Sequence, residues 1–140
     1  MPYSIGIDFG TQSGRVVLLD LTSGLEAAMS VVPYSHGVID KRLPGTGERL
    51  PVDWALQHPA DYIEVVQKGI LEVLQCANIP PGEVIGLGVD FTSCTVLPVT
   101  EDGTPLCTLP EWQSRPHAWP KLWKHHSAQP IADRMTSIAE

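Results

Sequence analysis

Three short runs rich in apolar residues, 4–9, 14–21 and 25–34, open the chain and predict three strands with tight connections. Thr22-Ser23-Gly24 joins the second to the third as a hairpin turn, because Gly24 can take a positive φ. Residues 35–58 carry His36, Gly37, Pro44, Gly45, Gly47 and Pro51 without clear periodicity, which predicts an irregular loop of a length that often serves function. From Pro59 the period changes. Ile63, Val66, Ile70, Val73, Leu74 and Ala77 recur at helical spacing, Pro59 suits a first-turn position, and Asn78 with Pro80-Pro81-Gly82 ends the helix. Val84 to Asp90 and Cys94–Val99 then read as strands, and Glu101-Asp-Gly103 turns the chain into a segment at Leu106–Leu109. Beyond residue 116, helical-looking stretches are interrupted by Pro116, Pro120 and Pro130.

Composition narrows the class. With 140 residues, 43% hydrophobic and 18% charged, the chain is one domain's worth of ordinary globular sequence. A net charge of −7 argues against a dedicated nucleic-acid binder, whose phosphate contacts need clustered Lys and Arg. The one basic cluster, Arg115 to His126, is short and interleaved with tryptophan. No run of 18 apolar residues and no secretory leader is visible, so a cytoplasmic protein is expected. Cys76, Cys94 and Cys107 are widely spaced and odd in number, which predicts reduced core thiols and no disulfide framework.

Three constellations carry candidate chemistry. Asp8 closes the first strand beside Thr11, Gln12, Ser13 and Arg15. This set suits a metal-bound phosphate: the carboxylate holds the ion, the turn donates to phosphate oxygens, and the guanidinium offsets developing charge. The same residues also make an ordinary polar hairpin. There is no Gly-Lys-Ser/Thr phosphate loop and no GxGxxG, and the turn leads into a strand. Asp90, with Thr92, Ser93 and Thr95, ends a later strand, where ligands of open α/β sheets gather; capping of local N–H groups is the plainer role. Trp112, Trp119 and Trp123 suit stacking on a sugar face, with Lys124, His125 and His126 donating to its hydroxyls; alternatively the tryptophans anchor a core or its rim and the histidine pair lies at the surface. His125 and His126 are adjacent and diverge on a helix, so they make a poor metal pair.

The order strand, strand, strand, helix, strand points to an α/β fold of the ribonuclease-H-like (actin-like ATPase) class, a mixed sheet with flanking helices. Ile5-Gly-Ile-Asp-Phe-Gly-Thr-Gln-Ser-Gly-Arg15, Pro33-Tyr-Ser-His-Gly-Val-Ile-Asp40, Trp54-Ala-Leu-Gln-His-Pro59, Gly88-Val-Asp-Phe-Thr-Ser-Cys-Thr95, Pro105-Leu-Cys107 and Lys121-Leu-Trp-Lys-His-His126 with Ala128-Gln129 run in sequence over nearly the whole chain. Together they resemble the FGGY family of carbohydrate kinases. The Phe91–Thr95 and Leu122–His126 segments narrow the resemblance to its pentulose-phosphorylating branch.

The resemblance implies ATP- and Mg²⁺-dependent transfer of phosphate to the 5-hydroxyl of L-ribulose, or a related ketopentose, in arabinose catabolism. It implies Asp8 at the metal, Thr11, Gln12, Ser13 and Arg15 at the phosphates, and Ser93 and Trp123 in the sugar pocket, with Asp90 and Lys124 as neighbours. Ser93 stands where alanine is the commoner family residue. Family members have two actin-like domains and are several hundred residues long, so residues 1–140 are expected to be the amino-terminal part of the first domain. On this expectation the adenosine pocket and the catalytic base lie in a second domain absent here, and the chain alone is inactive. The other reading weighed is a non-catalytic actin-like module that binds a sugar or a protein. A metal-dependent nuclease built on Asp8 and Asp90 is disfavoured by the acidic charge. A homo-oligomer is compatible with the sequence; nucleic-acid and membrane partners are not expected.

Overall fold

The computed structural model describes residues 1–139. The chain divides into two compact units, one of Met1–Gly37 and His58–Ser93, the other of Val38–Gln57 and the chain from Cys94 onward. In the first unit β1 (Tyr3–Phe9), β2 (Ser13–Asp20) and β3 (Glu26–Pro33) form an antiparallel meander. Then α1 (Pro59–Ala77) intervenes, and β4 (Val84–Phe91) pairs parallel to β1, giving a mixed sheet in the order β3-β2-β1-β4.

The hairpin closes as its residues predict: Gly24 sits at φ 73° and donates its N–H to Asp20 O at 2.8 Å. The Asp20 carboxylate accepts the Thr22 N–H at 2.7 Å, and that bond holds its pKa below the usual value. Period-two alternation sorts β1 onto two faces. Tyr3, Ile5, Ile7 and Phe9 are buried beneath α1, whereas Gly6 and Asp8 are exposed on the other face.

The helix covers the sheet by close approach. A Cβ on Gly14 of β2 would stand 2.4 Å from Val65 Cγ1, and one on Gly69 of α1 would stand 2.4 Å from Val16 Cγ2. The buried stripe of α1 therefore runs through Val65, Gly69 and Val73, with Val66, Ile70, Leu74 and Ala77 flanking it. Ile63, expected on this face, is 58% exposed, because the stripe is centred on a small residue that lets the backbones meet.

His58 is the N-cap of α1 and its side chain accepts the Ala60 N–H at 3.2 Å through Nδ1. Its ring stacks on His36 at 3.8 Å between centroids. His36 Nδ1 in turn donates to the buried Asp61 carboxylate at 2.6 Å. Burial first, then the neighbouring His36, pushes the His58 pKa down. A protonated Nδ1 also cannot accept the capping bond. The folded state therefore prefers neutral His58. Its stabilising contribution is present above the unfolded value of about 6.5 and is lost as pH falls through the depressed folded value. His58→Asn keeps a capping acceptor without the titration. We expect it to flatten the fall in thermal midpoint between pH 7.5 and 5; an unchanged slope would rule this contribution out.

As expected, residues 35–58 form no regular strand or helix; the part in the second unit, Val38–Gln57, is ordered by isolated bridges. Ile39 bridges Leu56, Leu56 bridges Lys121, and Lys121 bridges Val96, so short extended pieces line up without forming full strands. Cys94–Val99 is accordingly not a strand: Cys94 turns the backbone at φ 63°, and Val96 and Val99 make single bridges only. The turn at residues 100–104 is as expected, with Gly103 at φ 84°, and Leu106–Thr108 form a single 3-10 turn. Ile39, Leu43, Leu50, Leu56, Cys107, Ala118 and Trp119 make this unit's core. Of the cysteines only Cys107 is buried; Cys76 and Cys94 are exposed, contrary to expectation. Burial pushes the Cys107 thiol up to about 11. The unit ends in α2 (Gln129–Ala139). No helix among the described residues is long and apolar enough to cross a membrane.

Candidate functional site

The strand register of the first unit builds a row of charge. Asp8 on β1 lies opposite Arg15 on β2 and opposite Asp90 on β4. All are exposed on the face away from α1, because the alternate residues Phe9 and Phe91 turn the other way. Those rings stack at 4.4 Å between centroids, and Tyr62 of α1 meets each edge-on at 5.7 Å. Phe9 is buried, so a one-residue slip of β1 would expose its ring and turn Asp8 inwards; this fixes where Asp8 points.

In front of the row lies a shallow depression of about 390 Å³, lined by Gly6, Asp8, Arg15, Val17, Gly88 and Asp90 among others. A Cβ at Gly6 or Gly88 would meet no atom within 4 Å, so side chains do not fill its floor. Asp90 Oδ1 accepts the N–H of Phe91 at 2.9 Å, a local bond of the kind the plainer capping role calls for. Arg15 closes no ion pair with Asp8 among the described residues.

The turn after β1 is held from inside. Gly10 N–H donates to Ser13 O at 2.9 Å, Tyr34 N–H to Gln12 O at 2.9 Å, and Tyr34 Oη–H to Gly10 O at 3.0 Å. Three carbonyls of the turn are thereby satisfied inwards, while Thr11, Gln12 and Ser13 retain at least partial exposure. A Cβ on Gly10 would press on Ser13 O at 3.0 Å, so this tight closure favours glycine. Tyr34, directly after β3, thus anchors the turn from outside it, a role with no signature in sequence spacing. Burial first, then Asp61 and Asp8, pushes its hydroxyl up to about 12. It stays a neutral donor.

These residues fit a hydrated Mg²⁺ bound to a phosphate. Two facing carboxylates on neighbouring strands repel one another unless a cation offsets them. Mg²⁺ is commonly held by one or two carboxylates, with phosphate oxygens and water completing its shell. Among the described residues no group of three or more His, Cys, Asp or Glu is placed to hold a metal by itself, so such an ion needs ligands from outside the set.

The sequence-predicted residues thus divide. Asp8, Thr11, Gln12, Ser13, Arg15 and Asp90 meet at one end of one sheet, and exposed Ser93 follows β4 in the same unit. Trp123 and Lys124 belong to the second unit. There Trp119 is the buried core tryptophan, donating Nε1–H to Gln113 O at 3.1 Å, whereas Trp123 is 54% exposed. His125 is half-buried: Nδ1 accepts the Ala55 N–H at 3.2 Å, Nε2 meets Ser127 Oγ at 2.6 Å, and burial lowers its pKa.

Comparison with known proteins fits this arrangement. No family model matches the chain. It is 54% identical over 138 residues to a ribulokinase of Shouchella clausii, covering 99% of this chain and 25% of that protein. A ribulokinase of Geobacillus thermodenitrificans is 56% identical over 137 residues, with 98% and 24% covered. The chain spans about a quarter of the length of the curated relatives it matches. Among solved structures, a gluconate kinase from Lactobacillus acidophilus superposes with a TM-score of 0.72 at 20% identity, over 97% of this chain and 22% of that one. A xylulose kinase from the same organism gives 0.72 at 19% identity, over 98% and 23%. The mixed sheet is therefore that of the actin-like ATPase fold used by sugar kinases.

Proposed function

We propose, from its homology to ribulokinases along essentially its whole length, that the chain is the amino-terminal portion of an ATP-dependent sugar kinase. Its acceptor is the 5-hydroxyl of L-ribulose or a related ketopentose, as arabinose catabolism requires, and it works in the cytoplasm. The observation that carries this reading is the row Arg15–Asp8–Asp90 beside a turn whose carbonyls are tied inwards.

In this proposal Asp8 orients Mg²⁺, and Thr11, Gln12, Ser13 and Arg15 hold the phosphates of ATP. Bound Mg²⁺ supplies charge neutralisation at the transferred group. Ser93 and Trp123 line the sugar pocket, with Asp90 and Lys124 as neighbours. Residues 1–140 form part of the first FGGY domain. A second domain supplies the adenosine pocket and the base that takes the hydroxyl proton, and closure of the two excludes water from the transfer. The isolated chain is expected to show no L-ribulose-dependent conversion of ATP to ADP in a coupled assay. Robust turnover by the purified chain would contradict this division of labour.

A further inference from the structure

A second concentration of charge lies wholly inside the other unit. Lys41, Arg42, Arg49 and Lys124, together with Asp40 and Asp53, line a cleft of about 620 Å³. The chain has only nine Lys and Arg against sixteen Asp and Glu, so four of its nine cations gather here against the trend of the molecule.

Their arrangement is unfavourable without a ligand. Residues 41–50 form a hairpin, with Leu50 N–H on Lys41 O at 2.9 Å and Leu43 N–H on Glu48 O at 2.8 Å. Leu43 and Leu50 anchor it in the core at 1% and 5% exposure. Within it Arg42 and Arg49 are directly opposed across an antiparallel bridge. Like charges in that position destabilise a β-pair. Arg42 Nη1 donates to Gly47 O at 2.8 Å, which pins the guanidinium over the turn. None of the four cations forms an ion pair among the described residues, and neither Asp40 nor Asp53 neutralises them. Trp54, fixed edge-on against His125 at 4.6 Å, supplies a rigid apolar wall.

We propose that this cleft binds a small phosphorylated anion, with Arg42 and Arg49 taking its phosphate oxygens and Trp54 bounding the rest of the molecule. Two arginines on one rigid hairpin present planar forks suited to phosphate. The cleft's size and the protein's net charge of −7 favour a small ligand over a polyanion. The inference does not rest on the kinase reading. Lys124 is the one residue shared with the proposed sugar pocket, so the test leaves it unchanged.

The test measures thermal midpoint and titration heat of the chain with inorganic phosphate, glycerol 2-phosphate and, as a control for ionic strength, sodium chloride. Both phosphates are expected to raise the midpoint saturably with Kd below about 5 mM, and chloride at matched ionic strength to do neither. A tighter Kd for glycerol 2-phosphate identifies a phosphate monoester as the ligand; equal values identify free phosphate. Arg49→Gln is expected to weaken binding about tenfold or more. Without phosphate it leaves the midpoint unchanged or raised, because one of two opposed charges is gone. Equal responses to phosphate and chloride, or an Arg49→Gln variant that binds phosphate like the wild type, would overturn the proposal. An Arg49→Gln midpoint that falls without phosphate would make the arginine pair structural and overturn it equally.

Discussion

Asp8→Asn, introduced into the longer kinase proposed above, is expected to lower turnover with L-ribulose and MgATP on the order of 10²–10³-fold or more, the scale seen when one preorganised electrostatic contact to a transition state is removed. The substitution keeps shape and a hydrogen-bonding tip while removing the charge that would orient the cation. Asp8 is exposed, and its backbone is held by pairing to both β2 and β4. Nothing in the stack of Phe9, Phe91 and Tyr62 depends on its charge. Relief of repulsion with Asp90 should leave the thermal midpoint unchanged or slightly raised. Turnover near wild type would remove Asp8 from the reaction. A large loss of stability would make it a structural residue instead.

Gly14→Ala should be the most damaging single-methyl change in the first unit. Its Cβ would stand 2.4 and 2.6 Å from the two methyls of Val65, a β-branched side chain with 0% exposure. Neither partner can rotate away, because Gly14 is pinned between β1 and β3, and Val65 is stiff at χ1. Overpacking of this kind costs about 1–3 kcal/mol. Gly69→Ala probes the mirror contact with Val16, but there the better helix propensity of alanine offsets about 1 kcal/mol, so its net cost is smaller. Denaturant unfolding measures both. Val65→Ala combined with Gly14→Ala should recover part of the loss, since the shared volume is freed. Strictly additive losses would show that the Gly14–Val65 contact is not the cause.

The regular elements were legible because each had a local signal. Alternation set β1 to β3, Gly24 set the hairpin, and Pro59 and Asn78 bracketed α1. Register was not legible: alternation says which face Asp8, Arg15 and Asp90 take, but the pairing that sets them side by side comes from the folded sheet. What escaped depended on contacts distant in sequence. Ile63 has the helical period but not the burial, because the helix rests on Gly69. His58 caps α1 although histidine is an unusual cap, and its setting comes from His36 and Asp61. Cys94–Val99 is extended in composition but turned by the left-handed Cys94. Within 38–57 periodicity is lacking because residues 41–50 turn back on themselves and residues 54–57 take their order from partners at 117–122. Tyr34 gave no sign of its task, since anchoring a turn through its hydroxyl leaves no trace in spacing.

The central claim is that this chain supplies the phosphate-handling face of a pentulose kinase. Its most direct test is phosphorus NMR of the products formed when the longer protein is incubated with MgATP and L-ribulose. The account predicts ADP together with L-ribulose 5-phosphate in equal amounts, and neither product with the Asp8→Asn protein. ADP released alongside free phosphate with no sugar phosphate, or the same products from the Asp8→Asn protein at an undiminished rate, would contradict it.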